Sequence, residues 1–332
     1  MKEKKKVVLG QFFTKETIWL KKHIKEFIES SQTKIVYDPF AGAGHLLNTA
    51  KEILNYKEII GLDVDKSLNW KNNDSLLSIP HVDNAIIITN PPYLSNYSAS
   101  RKKIYKNVAK YFENSCYDDL YLIALEKMLE VQKFVVAIIP ETFINSSFKK
   151  KNLLHSITIL EENPFDDTDV PVLVACFDGI EKDFHNIKVY KNDDFINSYG
   201  TLEDLRLIPN KTIKIDFNNL NGWLGVKCVD STSPNDMIRF DFKENIDYDW
   251  ENGIKQSSRL FTLIDIDIPK SERENFIKKC NRILEKTRYE TQDLIFSPFK
   301  GNMKNGQRRR RLDFQTCRAI IEKSLCQTAE FI

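Results

Sequence analysis

Asn90-Pro91-Pro92-Tyr93 brings together an amide, a rigid turn and an aromatic ring, the set that chemistry at a planar amino group requires. The two prolines fix the turn and remove two N–H donors, so the carbonyls around them are left facing a ligand. The Asn90 side-chain oxygen and the Pro91 carbonyl can both accept from one NH2 group, drawing its lone pair out of conjugation and toward an incoming group. Tyr93 would stack on the ring and stabilise the positive charge that builds on the nitrogen, a cation–π effect worth roughly 0.5–2 kcal/mol. Taken alone, the four residues are also compatible with an ordinary Asn-Pro turn after a strand. A second segment upstream tips the balance.

That segment is Asp38-Pro39-Phe40-Ala41-Gly42-Ala43-Gly44. Gly42 and Gly44 allow a sharp bend and let a ligand approach the backbone with no Cβ in the way. Asp38, ahead of the glycines, would repel the pyrophosphate of a dinucleotide but attract the ammonium of a methionine moiety. Asp63 stands about 20 residues past the glycine turn, the distance at which an acid accepts from ribose hydroxyls, with Asp65 as the fallback. Further on, Asp74 in Asn72-Asn73-Asp74-Ser75-Leu76 could meet an adenine amino group, or belong to a plain polar loop. The two segments in this order point to methyl transfer from S-adenosylmethionine.

The elements that must hold these residues are readable in the hydrophobic pattern. Residues 34–37 form an apolar run that predicts a buried parallel strand, and residues 46–51 predict a helix. Strand, glycine turn and helix make the first crossover of a doubly wound sheet, where ligands sit at the carboxyl ends of the strands. Residues 58–63 predict a second strand ending in Asp63. Residues 85–89 are apolar throughout, predict a central strand, and run directly into Asn90.

Together the two segments resemble the amino-methyltransferases that use S-adenosylmethionine, most closely the adenine-N6 DNA methyltransferases of type II restriction–modification systems with the gamma order of motifs. Residues 10–14, Gly10-Gln11-Phe12-Phe13-Thr14, resemble that family's amino-terminal segment, which folds over the cofactor. The resemblance implies that Phe13, Thr14 and Phe40 join Asp38, Gly42, Gly44, Asp63 and Asp74 in holding the cofactor. Residues 134–140 resemble the fifth strand, and residues 156–160 and 172–177 the closing hairpin. Between those two strands, Phe165 occupies the place of an aromatic that packs on the flipped base opposite the tyrosine; core packing is its other reading. In the family, Asn at the first tetrapeptide position implies adenine N6 over cytosine N4. The fold implied is the α/β class I methyltransferase fold, Rossmann-like with a mostly parallel seven-stranded sheet, followed by a second, smaller α+β domain. Double-stranded DNA is the partner implied, with a cognate restriction endonuclease as a possible genetic neighbour. Methylation of a ribosomal RNA base or of a protein glutamine is the rival activity. A noncatalytic DNA-binding subunit is disfavoured by the intact Asp38, Asp63 and Asn90.

Composition fits this without adding much. The chain has 332 residues and a formal charge of +2, so DNA binding needs a local basic face. Its six cysteines occur singly, without Cys-x-x-Cys pairs, so no disulfide framework and no metal site is expected and the compartment is expected to be reducing, the cytoplasm of a bacterial or phage-infected cell. No run reaches membrane-spanning length. Residues 1–182 read as the catalytic domain and residues 183–332 as a target-recognition domain, with residues 181–185 as a linker. In the second part residues 211–215 and 260–264 predict strands. Residues 271–286 predict a helix with a Ser271/Glu274 capping box and an apolar stripe of Phe276, Ile277, Ile283 and Leu284. Residues 300–311 read as a basic loop in which Arg308, Arg309 and Arg310 could contact phosphates or a guanine edge, or form a solvated patch. Trp223 and Trp250 read as core residues, and His45 has no assigned role.

Overall fold

The computed structural model describes residues 17–165, 168–254 and 260–326. The chain divides into two compact units, Met1–Thr201 and Leu202–Ile332. The boundary expected at residue 182 thus falls inside the first unit.

The first unit is built on one sheet with the strand order β3-β2-β1-β4-β5-β7-β6-β8-β9. In chain order the first five strands are β1 (Ile35–Asp38), β2 (Glu58–Asp63), the two-residue β3 (Lys71–Asn72), β4 (Ala85–Thr89) and β5 (Phe134–Pro140). These five are parallel to one another, with Asp38 beside Gly61 and Thr89 beside Ala137. β7 (Val172–Phe177) lies antiparallel to both β5 and β6 (Leu154–Ile159). Chain order reverses between β1 and β4, which makes the gap at their carboxyl ends the topological switch point, the place where ligands bind in such sheets.

The sheet has nine strands among the described residues, not the expected seven. β8 (Lys188–Lys191) adds parallel to β6, and β9 (Asp194–Ser198) adds antiparallel to β8. Their sequences are polar because they lie at an edge: in β8 only Val189 is buried, so the apolar signal of a strand is almost absent. β4, β5 and β7 show the opposite limit. β4 and β7 are buried along their whole length and β5 at every residue after Phe134, as strands covered on both faces must be.

Helices cover the faces. α1 (Lys22–Ser30) buries Ile24, Phe27 and Ile28, spaced as one helical stripe. α2 (His45–Glu52) starts directly after Gly44, whose left-handed φ of 83° turns the chain from loop to helix. Two short helices follow β4, α3 (Asn96–Arg101) and α4 (Tyr105–Phe112). α5 (Leu120–Val131) is buried over its first six residues and leads into β5. A six-residue helix, α6 (Tyr199–Asp204), spans the division between the units.

The second unit has a four-stranded antiparallel sheet in the order β10-β13-β11-β12, made of β10 (Asp216–Phe217), β11 (Leu224–Lys227), β12 (Arg239–Phe242) and β13 (Phe261–Asp265). The strand expected over residues 211–215 is not formed, and pairing begins at Asp216. α7 (Arg273–Glu290) buries the expected stripe together with Cys280 and Thr287. Its capping box does not form. A single 3-10 turn, Lys270–Glu272, leads into the helix, and Glu274 instead pairs with Lys278 at 2.6 Å.

Residues 300–311 also differ from expectation. They belong to a hairpin of β14 (Ser297–Asn302) and β15 (Arg308–Arg311), closed by Met303 N–H donating to the Gln307 carbonyl and by Gly306 at φ 87°. α8 (Phe314–Cys326) packs on α7, bringing Ser324 to 3.3 Å from Cys280. Among the described residues no helix is long and apolar enough to cross a membrane.

Candidate active site

The carboxyl ends of β1, β2 and β4 meet around the glycine turn. Asp38, 2% exposed, ends β1; its Oδ1 accepts from the Phe40 N–H at 2.9 Å and from the Thr89 hydroxyl, at the end of β4, at 2.6 Å. The bond spans the switch point and ties the glycine segment to the residue before Asn90. Burial pushes the Asp38 carboxyl up to about 7; the Thr89 and Phe40 donors pull it down and the Asp63 charge pushes it further up. This buried carboxylate is held by neutral donors with a second carboxylate close by. Such a site is short of positive charge and suits a cationic ligand.

Asp63, also buried, ends β2. Its Oδ2 accepts from the Gly42 N–H at 2.9 Å and its Oδ1 from the Asp65 N–H at 2.8 Å. The carboxylate therefore fixes the turn first, and each oxygen keeps a second lone pair for a hydroxyl. Asp65 is committed to its own loop, accepting from both the backbone N–H and the hydroxyl of Ser67.

The two glycines have different tasks. A Cβ on Gly42 (φ 53°) would meet only the Phe40 carbonyl at 3.9 Å, leaving that side open to a ligand. A Cβ on Gly44 would come within 2.7 Å of the Trp70 ring, and one on Gly61 within 2.5 Å. So the space above Gly44 is filled by an indole, a correction to the expectation that both glycines clear the way for a ligand. Trp70 also donates its Nε1–H to the Gly42 carbonyl at 2.9 Å. Sequence reasoning missed this residue. Its signal was a single tryptophan in the loop beyond β2, with a glycine inside that strand to receive it.

Asp74 follows β3, and its Oδ2 accepts from Lys110 Nζ at 2.7 Å and from the Tyr111 hydroxyl at 3.0 Å, both on α4. The loop after β3 is thereby joined to the segment that follows the Asn90-Pro91-Pro92-Tyr93 turn.

On the other side of the switch point, Asn90 and Pro91 follow β4 directly. The Tyr93 hydroxyl donates to the Ile138 carbonyl of β5 at 2.7 Å, and burial holds its phenol well above the usual range, so it stays neutral. Phe165 is 5% exposed and meets Tyr93 edge to face, with ring centroids 6.2 Å apart and planes at 67°. The two rings touch each other and do not face one another across a slot. A second residue missed from sequence is Glu141, 1% exposed, which follows Pro140 at the end of β5. With Asp38 and Asp63 it makes three buried acids, each at the carboxyl end of a parallel strand.

Phe13 and Thr14 lie outside the described residues. Phe40 is half-buried in the turn. Among the described residues no cluster of His, Cys, Asp or Glu could hold a metal ion.

In the second unit Arg310 is 4% exposed. Its N–H donates to Asp230 Oδ2 at 2.9 Å, and its Nη1 lies 3.5 Å from the Phe296 carbonyl. Arg309 donates through Nε to the Asp230 carbonyl at 2.8 Å and stacks on Phe299, while Arg308 donates to Asn302. The arginines expected on a loop are thus partly woven into the hairpin.

Residues 11–168 match the family model of the Eco57I restriction-modification methylase. Among solved structures, the chain is similar to a protein from Pyrococcus horikoshii provisionally described as an RNA methyltransferase. That match has 22% identity and a TM-score of 0.32, covering 52% of this chain and 88% of the other. It is also similar to a nuclease-deletion mutant of the Type ISP restriction-modification enzyme LlaGI, solved with a DNA substrate mimic, at 13% identity and a TM-score of 0.34. There the match covers 65% of this chain and 35% of the other, so the chain spans about a third of that enzyme. No curated protein matches the chain in sequence.

Proposed function

We propose that this chain, whose first unit carries a methyltransferase domain, transfers a methyl group from S-adenosylmethionine to N6 of an adenine swung out of duplex DNA. The observation that carries the reading is the bond between the Thr89 hydroxyl and Asp38 at 2.6 Å. It joins an electron-rich pocket for a cation to the start of Asn90-Pro91-Pro92-Tyr93.

The residues suit this cofactor. Asp38 would take the ammonium, Asp63 the ribose hydroxyls and Asp74 the adenine, with the open side of Gly42 giving access; Phe13, Thr14 and Phe40 would complete the cradle. When bound, the cofactor supplies the methyl group as an electrophile. The protein's own residues do the rest. Asn90 Oδ1 and the Pro91 carbonyl accept from the amino group and aim its lone pair, Pro92 keeps the turn rigid, and the Tyr93 ring stabilises developing positive charge. Since Tyr93 and Phe165 touch in the structure, entry of a base between them requires Phe165 to swing aside. Extrusion of the base costs a few kcal/mol, offset by stacking of roughly 1–3 kcal/mol per aromatic contact. The second unit would supply target recognition, with Arg308 and Arg309 more available to phosphates than the buried Arg310. Protection of DNA from a cognate endonuclease is the role that fits.

The test is mass spectrometry of nucleosides from unmethylated duplex DNA incubated with the protein and S-adenosylmethionine, with Asn90→Ala alongside. N6-methyladenine should form with the unaltered protein and fall below about one part in a hundred with the variant, while cofactor affinity stays within a factor of about three. Unmodified DNA in the presence of bound cofactor overturns the substrate assignment and makes RNA the next substrate to try. A loss of cofactor affinity as large as the loss of activity overturns the role given to Asn90.

A further inference from the structure

Between the catalytic turn and α5 the chain makes an excursion closed at its base. Ser95 pairs with Asp119 in an antiparallel bridge, Asn96 N–H donates to the Asp118 carbonyl at 2.8 Å, and Leu120 N–H donates to the Leu94 carbonyl at 3.0 Å. The excursion therefore leaves two residues after Tyr93 and returns to the same spot. Ala99, Val108 and Phe112 of α3 and α4 are buried, which turns the polar side of both helices outward. A second anchor is the bond of Lys110 and Tyr111 to Asp74. The excursion is thus fixed both to the catalytic turn and to the loop proposed to meet the cofactor's adenine.

Its charge is one-sided. Residues 96–112 contain Arg101, Lys102, Lys103, Lys106 and Lys110 and no acid, and all five cations are exposed. The acids Asp118 and Asp119 lie at the base, and Glu113 comes only after the end of α4. Among the cations stands Tyr97, 75% exposed. A large ring left in water beside a cationic cluster suits a polyanion that also offers flat unpaired bases, which an acidic protein surface does not.

We propose that this excursion is the surface that grips the DNA strand carrying the target base. Arg101, Lys103 and Lys106 neutralise phosphates flanking the extruded nucleotide, and Tyr97 packs on an adjoining base. The inference rests on the DNA reading given above. It adds a phosphate-binding element inside the catalytic unit, at the mouth of the catalytic turn, where the backbone of an extruded nucleotide has to pass.

The test compares two triple variants of the full chain that lose equal charge. One is Arg101→Gln/Lys103→Gln/Lys106→Gln. The other is Lys34→Gln/Lys57→Gln/Lys133→Gln, whose exposed lysines precede β1, β2 and β5 and so lie at the opposite, amino edge of the sheet. Binding of a short fluorescein-labelled duplex is followed by anisotropy between roughly 50 and 200 mM salt. The excursion triple should lower the slope of log affinity against log salt by about 2–3, at roughly 0.9 per phosphate contact, and weaken binding at least about tenfold. The opposite-edge triple should match the unaltered protein, and the melting temperature and cofactor affinity of both should be unchanged.

Unchanged duplex affinity and slope in the excursion triple, while the unaltered protein binds and methylates DNA, overturns this inference alone. Equal losses in both triples overturn it in favour of a general charge effect. Loss confined to a stem-loop RNA probe overturns it in favour of an RNA surface. An unaltered protein that neither binds nor methylates DNA overturns both this inference and the reading beneath it.

Discussion

Asp38 in the first unit and Asp230 in the second are both buried aspartates, 2% and 0% exposed, and their surroundings are opposite in kind. Asp230 is fully compensated. Arg288 forks onto both of its oxygens at 2.9 Å, and the N–H groups of Ile238 and Arg310 complete the set. Asp38 has one hydroxyl and one N–H, with the carboxylate of Asp63 adding repulsion. One carboxylate joins β15 to α7 and holds the second unit together. The other is kept short of positive charge, an arrangement that costs stability and leaves room for a cationic ligand. Burial of an acid is therefore not in itself a sign of function; the character of its partners is.

The contrast is broken most directly by removing each carboxylate. Asp230→Ala leaves the Arg288 guanidinium without its buried partner and is expected to lower the stability of the second unit by about 3–5 kcal/mol, read as a lost or early transition in thermal unfolding. Asp38→Asn should act in the opposite direction, raising the stability of the cofactor-free protein by roughly 2 kcal/mol at pH 8 while abolishing cofactor binding. If both variants destabilise alike, the contrast is wrong.

The pH dependence sharpens it. The folded Asp38 holds its proton up to about 7 whereas an unfolded aspartate releases it near 3.8. Between those values the folded state binds more protons, so Asp38 makes stability fall as pH rises from about 4 to about 7, after which the loss is complete. That slope should be absent in Asp38→Asn. Affinity for a cationic ligand runs the other way and should climb through pH 7, as calorimetric titration at several pH values would reveal. The smallest effect belongs to Thr89→Val. Removing the hydroxyl raises the Asp38 carboxyl further and should weaken cofactor binding at pH 7 about tenfold, roughly 1.4 kcal/mol, and move the midpoint of the pH dependence upward. A midpoint that stays in place would mean that Thr89 does not control Asp38.

Two basic runs repeat the lesson at larger scale. Residues 308–311 stand out in the sequence as four successive arginines, yet Arg310 is buried and Arg309 donates to a backbone carbonyl. Residues 101–110 look less conspicuous, and all of their cations are exposed. A charge run reports how much charge is present. Its availability is decided by which carboxylates and carbonyls the fold brings to it, here Asp230 for Arg309 and Arg310 in one case and Asp74 for Lys110 in the other.

Legibility followed the same physical line. β4 and β5 were readable because strands covered on both faces must be apolar throughout, and the glycine turn because left-handed φ values at residues 42 and 44 select glycine. β8 and β9 were hidden by the polarity of edge strands, and the strand over residues 211–215 was a false reading of a β-branched alternation. The capping box at Ser271 failed because a 3-10 turn precedes α7 and removes the extended cap that the motif needs.

What the amino-acid sequence determined by itself is local: where the chain must turn, which runs must be covered, and the order in which the acidic glycine turn and the Asn-Pro-Pro-Tyr turn follow their strands. Tertiary structure alone decided what each charged or aromatic group meets. It set Thr89 on Asp38 across the switch point, laid Trp70 over Gly44 and Gly61, closed the basic excursion beside Tyr93, and turned Arg310 inward. The physical reason is range. Backbone conformation and strand burial are governed by neighbours in the chain, whereas hydrogen bonds and ion pairs of side chains join residues far apart in sequence, and their partners exist only once the sheet has assembled.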